Sequence, residues 1–93
     1  MEDVARIMRE NLPHGVSLAE FGQRMGWGRG ADDALTRIQS LKLPELHELG
    51  LTADQAIQWA LAYETVTRLM PLNPSAAGRA ALLRHAANLL ASE

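Results

Sequence analysis

Arg79 is the residue whose placement most needs a chemical explanation. It stands in Asn73-Pro74-Ser75-Ala76-Ala77-Gly78-Arg79-Ala80, among Ala76, Leu82, Leu83 and Ala86, where helical spacing calls for an apolar side chain. A cation near the start of a helix is opposed by the helix dipole, and a cation turned toward a core needs a partner. Glu64, on the preceding helical stretch, is the best-placed acid if the two helices form an antiparallel hairpin; Asp32 and Asp33 are the alternatives. Such an arginine is either half of a structural ion pair, a side chain snorkelling to water, or an anchor for an anionic substrate. If it is paired, Arg79→Met is tolerated whereas Arg79→Ala costs roughly 3 kcal/mol or more.

A second stretch, Gly26-Trp27-Gly28-Arg29-Gly30, leads directly into a helix start, the arrangement that cradles phosphates in nucleotide sites. Here it follows a helical pattern rather than a strand, lacks a Gly-Lys-Ser/Thr ending, and is followed by Asp32 and Asp33, which repel anions. The simpler reading has Gly26 ending a helix, Trp27 plugging the core, and Arg29 exposed or held by an acid.

Leu46 to Ala56 resembles a helix-hairpin-helix DNA-binding motif in having Gly50 and Ala56 in place. Thr52 stands where the second glycine belongs, and Ala53, Asp54 and Gln55 replace the basic residues, so the phosphate-binding half is missing. His14, His47 and His85 are each isolated, which gives no metal-ligand spacing. Asp32 and Asp33 are adjacent and diverge on a helix, so they are first-turn acids rather than a catalytic pair. Ser17, Ser40, Ser75 and Ser92 have no nucleophile-elbow context. No catalytic residue, cofactor or metal is expected, and the chain leans away from being an enzyme.

The elements that must position these residues are all helical. Val4, Ile7, Met8 and Leu12 recur at helical spacing behind the acids Glu2 and Asp3 and ahead of the breaker Pro13-His14-Gly15. Ser17 and Glu20 form a capping-box pattern for a helix carrying Leu18, Phe21 and Met25 and stopped by Gly26. Ala31, Ala34, Leu35, Ile38 and Leu41 make a third, with Asp32 and Asp33 in its first turn. Pro44 suits the start of a short helix, Glu45 to Leu49, capped by Gly50 with Leu51 as the following contact. Thr52 and Gln55 open a long helix to about Leu69, with Ala56, Trp59, Ala60, Tyr63, Val66 and Met70 on its wide apolar side.

Asn73 as cap and Pro74 at the first position begin the last helix. Its apolar rows are Ala76, Ala80, Leu83, Ala87 and Leu90 with Leu82, Ala86 and Leu89, leaving Arg84, His85 and Asn88 to water. Its small residues, Ala76, Ala77, Gly78, Ala80 and Ala81, allow close approach to the long helix or to a second copy of the chain. The fold expected is an all-α compact bundle of five to six helices with a C-terminal helical hairpin, forming one domain over residues 1–93.

Composition agrees and excludes several classes. Ninety-three residues leave room for one modest core, and the 47% hydrophobic and 22% charged content is that of a globular domain rather than a disordered tail. With no cysteine there are no disulfides and no thiolate chemistry. A net charge of -2 offers no general attraction to phosphate backbones, so nucleic acid is disfavoured as a partner unless Arg6, Arg9, Arg24, Arg29 and Arg37 make a local strip. Without a signal-like start or a run of about 20 apolar residues, a cytoplasmic location and no membrane are expected.

Met25 to Gly30, Gly50-Leu51-Thr52, Trp59, Tyr63-Glu64, Arg68 and above all Asn73 to Ala80 resemble a small bacterial family of domains of unknown function. The resemblance covers roughly residues 20–90. It implies a domain found both stand-alone and at the C-termini of polymorphic-toxin-type proteins, with no activity or active site to carry over. The chain departs from that pattern over Thr65 to Met70 and at Leu72, where Asn and Arg are commoner in the family. The leading expectation is a non-enzymatic module that binds a protein partner or itself, as a possible homodimer, through an apolar helical face. The runner-up is a toxin-like effector domain or remnant with Trp27, Arg29, Glu64 and Arg79 as its residues.

Overall fold

The computed structural model describes residues 2–93, in which six α-helices follow one another without a strand among the described residues. They are α1 (Glu2–Glu10), α2 (Leu18–Met25), α3 (Ala31–Ile38), α4 (Leu43–Leu49), α5 (Ala53–Leu69) and α6 (Pro74–Ala91). The all-α bundle expected from periodicity is therefore what forms. The side chain of Glu2, read above as a first-turn acid, lies outside the described residues.

The helix ends follow from local chemistry. Ser17 accepts the Glu20 amide at 3.1 Å to start α2, and Gly26 closes it in the left-handed region with φ of 72°. At α5 the capping box is complete: Gln55 N–H donates to Thr52 Oγ1 at 3.1 Å, and Thr52 N–H donates to Gln55 Oε1 at 3.0 Å. That box occupies the amides a helix-hairpin-helix would turn to a phosphate. α4 begins two residues earlier than expected, at Leu43, because Glu45 reaches back to accept the Lys42 amide at 3.0 Å. Asn73 precedes α6 but its side chain does not cap the helix; its Oδ1 instead accepts the Ser75 hydroxyl at 2.7 Å.

α5 and α6 pack as an antiparallel hairpin around which the other helices are laid: α3 and α4 against α6, α1 against α5. Phe21, Met25, Leu46, Trp59, Leu82 and Leu83 are fully buried at the centre, and Trp59 anchors the core polar edge by donating Nε1–H to Asn11 O at 3.1 Å. A smaller cluster, Val4, Ala62, Val66 and Ala76, holds α1 to the hairpin. Three apolar residues assigned to core faces are instead exposed: Leu18 and Leu35, on helices of only eight residues that each turn a narrow face inward, and Met70, which lies past the end of α5.

Within the chain, the small-residue stretch of α6 is not tightest against α5. It meets the start of α3. A Cβ added at Gly78 would lie 2.7 Å from Ala31 O and 2.9 Å from Ala31 Cα, so two backbones touch here and nothing larger than glycine fits. This contact fixes the loop before α3 over the first turns of α6, and so decides what Arg79 can reach.

Candidate functional site

Arg79 comes out of that contact beneath the Gly26 to Gly30 loop. Its Nη2 donates to Gly28 O at 3.1 Å and its Nη1 to the Tyr63 hydroxyl at 3.3 Å. The guanidinium carbon lies 4.9 Å from the centre of the Trp27 ring and 5.7 Å from that of Tyr63, within cation–π range of both. Nε is buried and has no acceptor. The charge is thus held by two aromatic faces, a carbonyl and a phenol, all neutral.

The expected Arg79–Glu64 ion pair is not formed. Glu64 takes both oxygens to Arg84, whose Nη2 and Nε donate at 2.9 and 3.1 Å, so Arg84 is engaged rather than left to water. The reason is helical phase: positions 63 and 64 point about 100° apart, and Arg79 falls on the Tyr63 side. This bidentate bond holds the Arg84 guanidinium above its ordinary pKa. Asp32 and Asp33 do not meet Arg79 either. Asp32 is exposed, and Asp33 accepts the Arg29 amide at 3.3 Å, closing the loop from outside while the Arg29 side chain stays in water. None of the ion pairs among the described residues includes Arg79.

Trp27 plugs the core as expected, edge-on to Phe21 at 5.7 Å and to Tyr63 at 5.5 Å. The partners that spacing did not reveal are Tyr63 and the Gly28 carbonyl; a backbone acceptor fifty-one residues away leaves no sequence signal. Chemically the cluster is a clasp. It offers no nucleophile, no paired carboxylates and no acid–base couple, and among the described residues no group of three potential metal ligands comes together.

Three further arginines are matched by acids. Arg6 meets Asp3, Arg24 meets Glu20, and Arg37 is bound to Glu45 while its Nε donates to Met25 O at 3.0 Å. The Arg37 hydrogen bond holds the Glu45 carboxyl below its ordinary pKa.

The surface is also indented in several places, two of them larger. One, of about 730 Å³, runs along α2 under the loop, lined by Leu18, Gly22, Gln23, Trp27 and Arg29 among others. The second, of about 580 Å³, is lined entirely by the corner between α5 and α6, Leu69 to Pro74. Here Leu69 is 60% exposed, Met70 46% and Leu72 96%, and Leu61 extends the strip two turns back along α5 at 44%. Thr65 between them turns its hydroxyl to Leu61 O at 2.9 Å. Of the residues here, periodicity named only Met70, and that for the core face of α5, because they sit where a helix ends.

No helix among the described residues is long and apolar enough to cross a membrane. Residues 2–90 match the family model described as a domain of unknown function (DUF4951), and the chain belongs to that family. Neither a curated protein nor a solved structure matches it.

Proposed function

We propose that this DUF4951 domain is a non-enzymatic protein-interaction module, acting in the cytoplasm, that docks a helix of another protein on the corner between α5 and α6. The observation behind this reading is the Leu61, Leu69, Met70 and Leu72 strip, which holds four of the six large apolar side chains exposed among the described residues. Leaving a leucine in water forgoes about 1.5–3 kcal/mol of burial, and a surface turn has no need of one. Together the four present on the order of 500 Å², the size of a functional patch but short of the roughly 800 Å² per partner of a standard interface. That area suits a single amphipathic helix laid in a groove. Self-association through the same strip is the less favoured form, since a symmetric contact would bring Arg68 of both copies to one seam.

The effector reading rests on the toxin-linked resemblance and on Trp27, Arg29, Glu64 and Arg79. Trp27 and Arg79 meet, but the four do not form one site, because Glu64 is taken by Arg84 and the Arg29 side chain stays in water. Nucleic-acid binding has as little support, with Arg6, Arg24 and Arg37 each beside a carboxylate. Overexpression harmless to cells is the result expected.

The test is a displayed library of amphipathic helices selected on the wild-type protein and screened against the Leu69→Asp/Leu72→Asp variant. Binders that require the two leucines support the reading. Binders indifferent to them, obtained while the variant melts like the wild type, would place the interaction elsewhere and defeat it.

A further inference from the structure

We infer that the helix received by this corner is acidic along the border of its apolar face; the inference rests on the docking reading above and adds the chemistry of the partner. From Thr65 to Ser92 the chain contains no Asp or Glu, while Arg68, Arg79 and Arg84 all lie in that stretch. Arg79 is spent inside the fold and Arg84 on Glu64. Arg68 is different: it is exposed, lies beside Leu69 on the strip, and its only side-chain bond is to Thr65 Oγ1 at 3.2 Å.

Among the described residues, the carboxylates that packing brings toward this end are already engaged. Asp3, next to the Val4 that packs with Val66 and Ala76, is paired with Arg6, and Glu64 is held by Arg84. α6 begins at the same corner with neither an acidic residue in its first turn nor a side-chain cap, so its dipole adds field of the same sign. An apolar groove bordered by a cation unpaired among the described residues and by a positive helix end selects a partner that carries carboxylates next to its leucines. It disfavours one that carries lysines there.

The experiment uses two labelled amphipathic peptides of about 18 residues with one apolar face, one bordered by Glu and the other by Lys, titrated by fluorescence anisotropy into the full chain. At low salt the Glu peptide should bind roughly three- to tenfold more tightly, with the gap closing near 0.5 M salt. Arg68→Glu, a change at an exposed position, should reverse the order, and Leu72→Asp should abolish binding of both. Equal binding of the two peptides that still depends on Leu72 overturns the charge inference and leaves the docking reading standing. No binding of either peptide overturns both. A concentration-dependent mass in sedimentation that Leu72→Asp removes would assign the corner to a second copy, and overturns the acidic helix as its occupant.

Discussion

The guanidinium of Arg79 sits 4.9 Å from the centre of the Trp27 indole ring, and this contact ties the last helix to the Gly26 to Gly30 loop. No carboxylate shares it. An arginine half-buried against aromatics and a carbonyl is stabilised by cation–π attraction and hydrogen bonding rather than by an ion pair, and the two have different consequences when it is cut.

Removing Arg79 strands no buried carboxylate. Arg79→Met should therefore cost about 1–2 kcal/mol, the worth of the Gly28 and Tyr63 bonds and the ring contacts, offset in part by relief of the unpaired Nε. Arg79→Ala should cost somewhat more through lost packing, but less than the roughly 3 kcal/mol of a broken buried ion pair. Urea unfolding of the two variants measures both values.

Gly78→Ala tests the backbone contact with Ala31. In an exposed helix interior that change stabilises by up to about 1 kcal/mol. Here the new Cβ meets backbone atoms at 2.7 and 2.9 Å, which cannot swing aside, so the sign should reverse to a loss of about 1–3 kcal/mol. A variant melting above the wild type would show that α3 and α6 are not in contact at this point.

Glu45 gives the protein an acid-sensitive joint. Its folded pKa lies below the unfolded value of about 4.3, so the stability it adds is fully present above that pH and is lost as pH falls through the folded value. The pair is partly exposed, and its contribution should be below about 1 kcal/mol. Comparing Glu45→Gln with wild type by thermal melting from pH 6 down to pH 3, the gap between them should be constant at the upper end and close toward the lower. Arg84 is raised for the same kind of reason by Glu64, but that shift acts only in strong alkali.

Most of the fold was legible because it is written locally. Ser17, Gly26, Gly50, Thr52 and Gln55 mark helix ends by their own chemistry, and the apolar rows of α5 and α6 need no knowledge of their neighbours. What sequence reasoning misplaced depends on how helices are rotated and which backbones touch. Arg79 faces Tyr63 rather than Glu64 because of a one-residue difference in phase, and Gly78 is small because of Ala31, forty-seven positions earlier. Leu69 at the last position of α5, and Met70 and Leu72 beyond it, continue an apolar pattern where it no longer means burial.

The corner variants should separate stability from binding. Leu72 is 96% exposed, so Leu72→Asp should leave the melting transition within about 0.5 kcal/mol of wild type. A large loss would mean that Leu72 is packed in solution, and the corner would then be part of the core.

The most direct measurement is the amide chemical-shift map of the protein during titration with the Glu-bordered peptide. The account predicts that the amides shifting most are those from Leu61 through Ala76, with Trp27 to Gly30 unmoved. Shifts centred on the α2 concavity around Leu18, Gly22 and Trp27, with the α5–α6 corner silent, would contradict it.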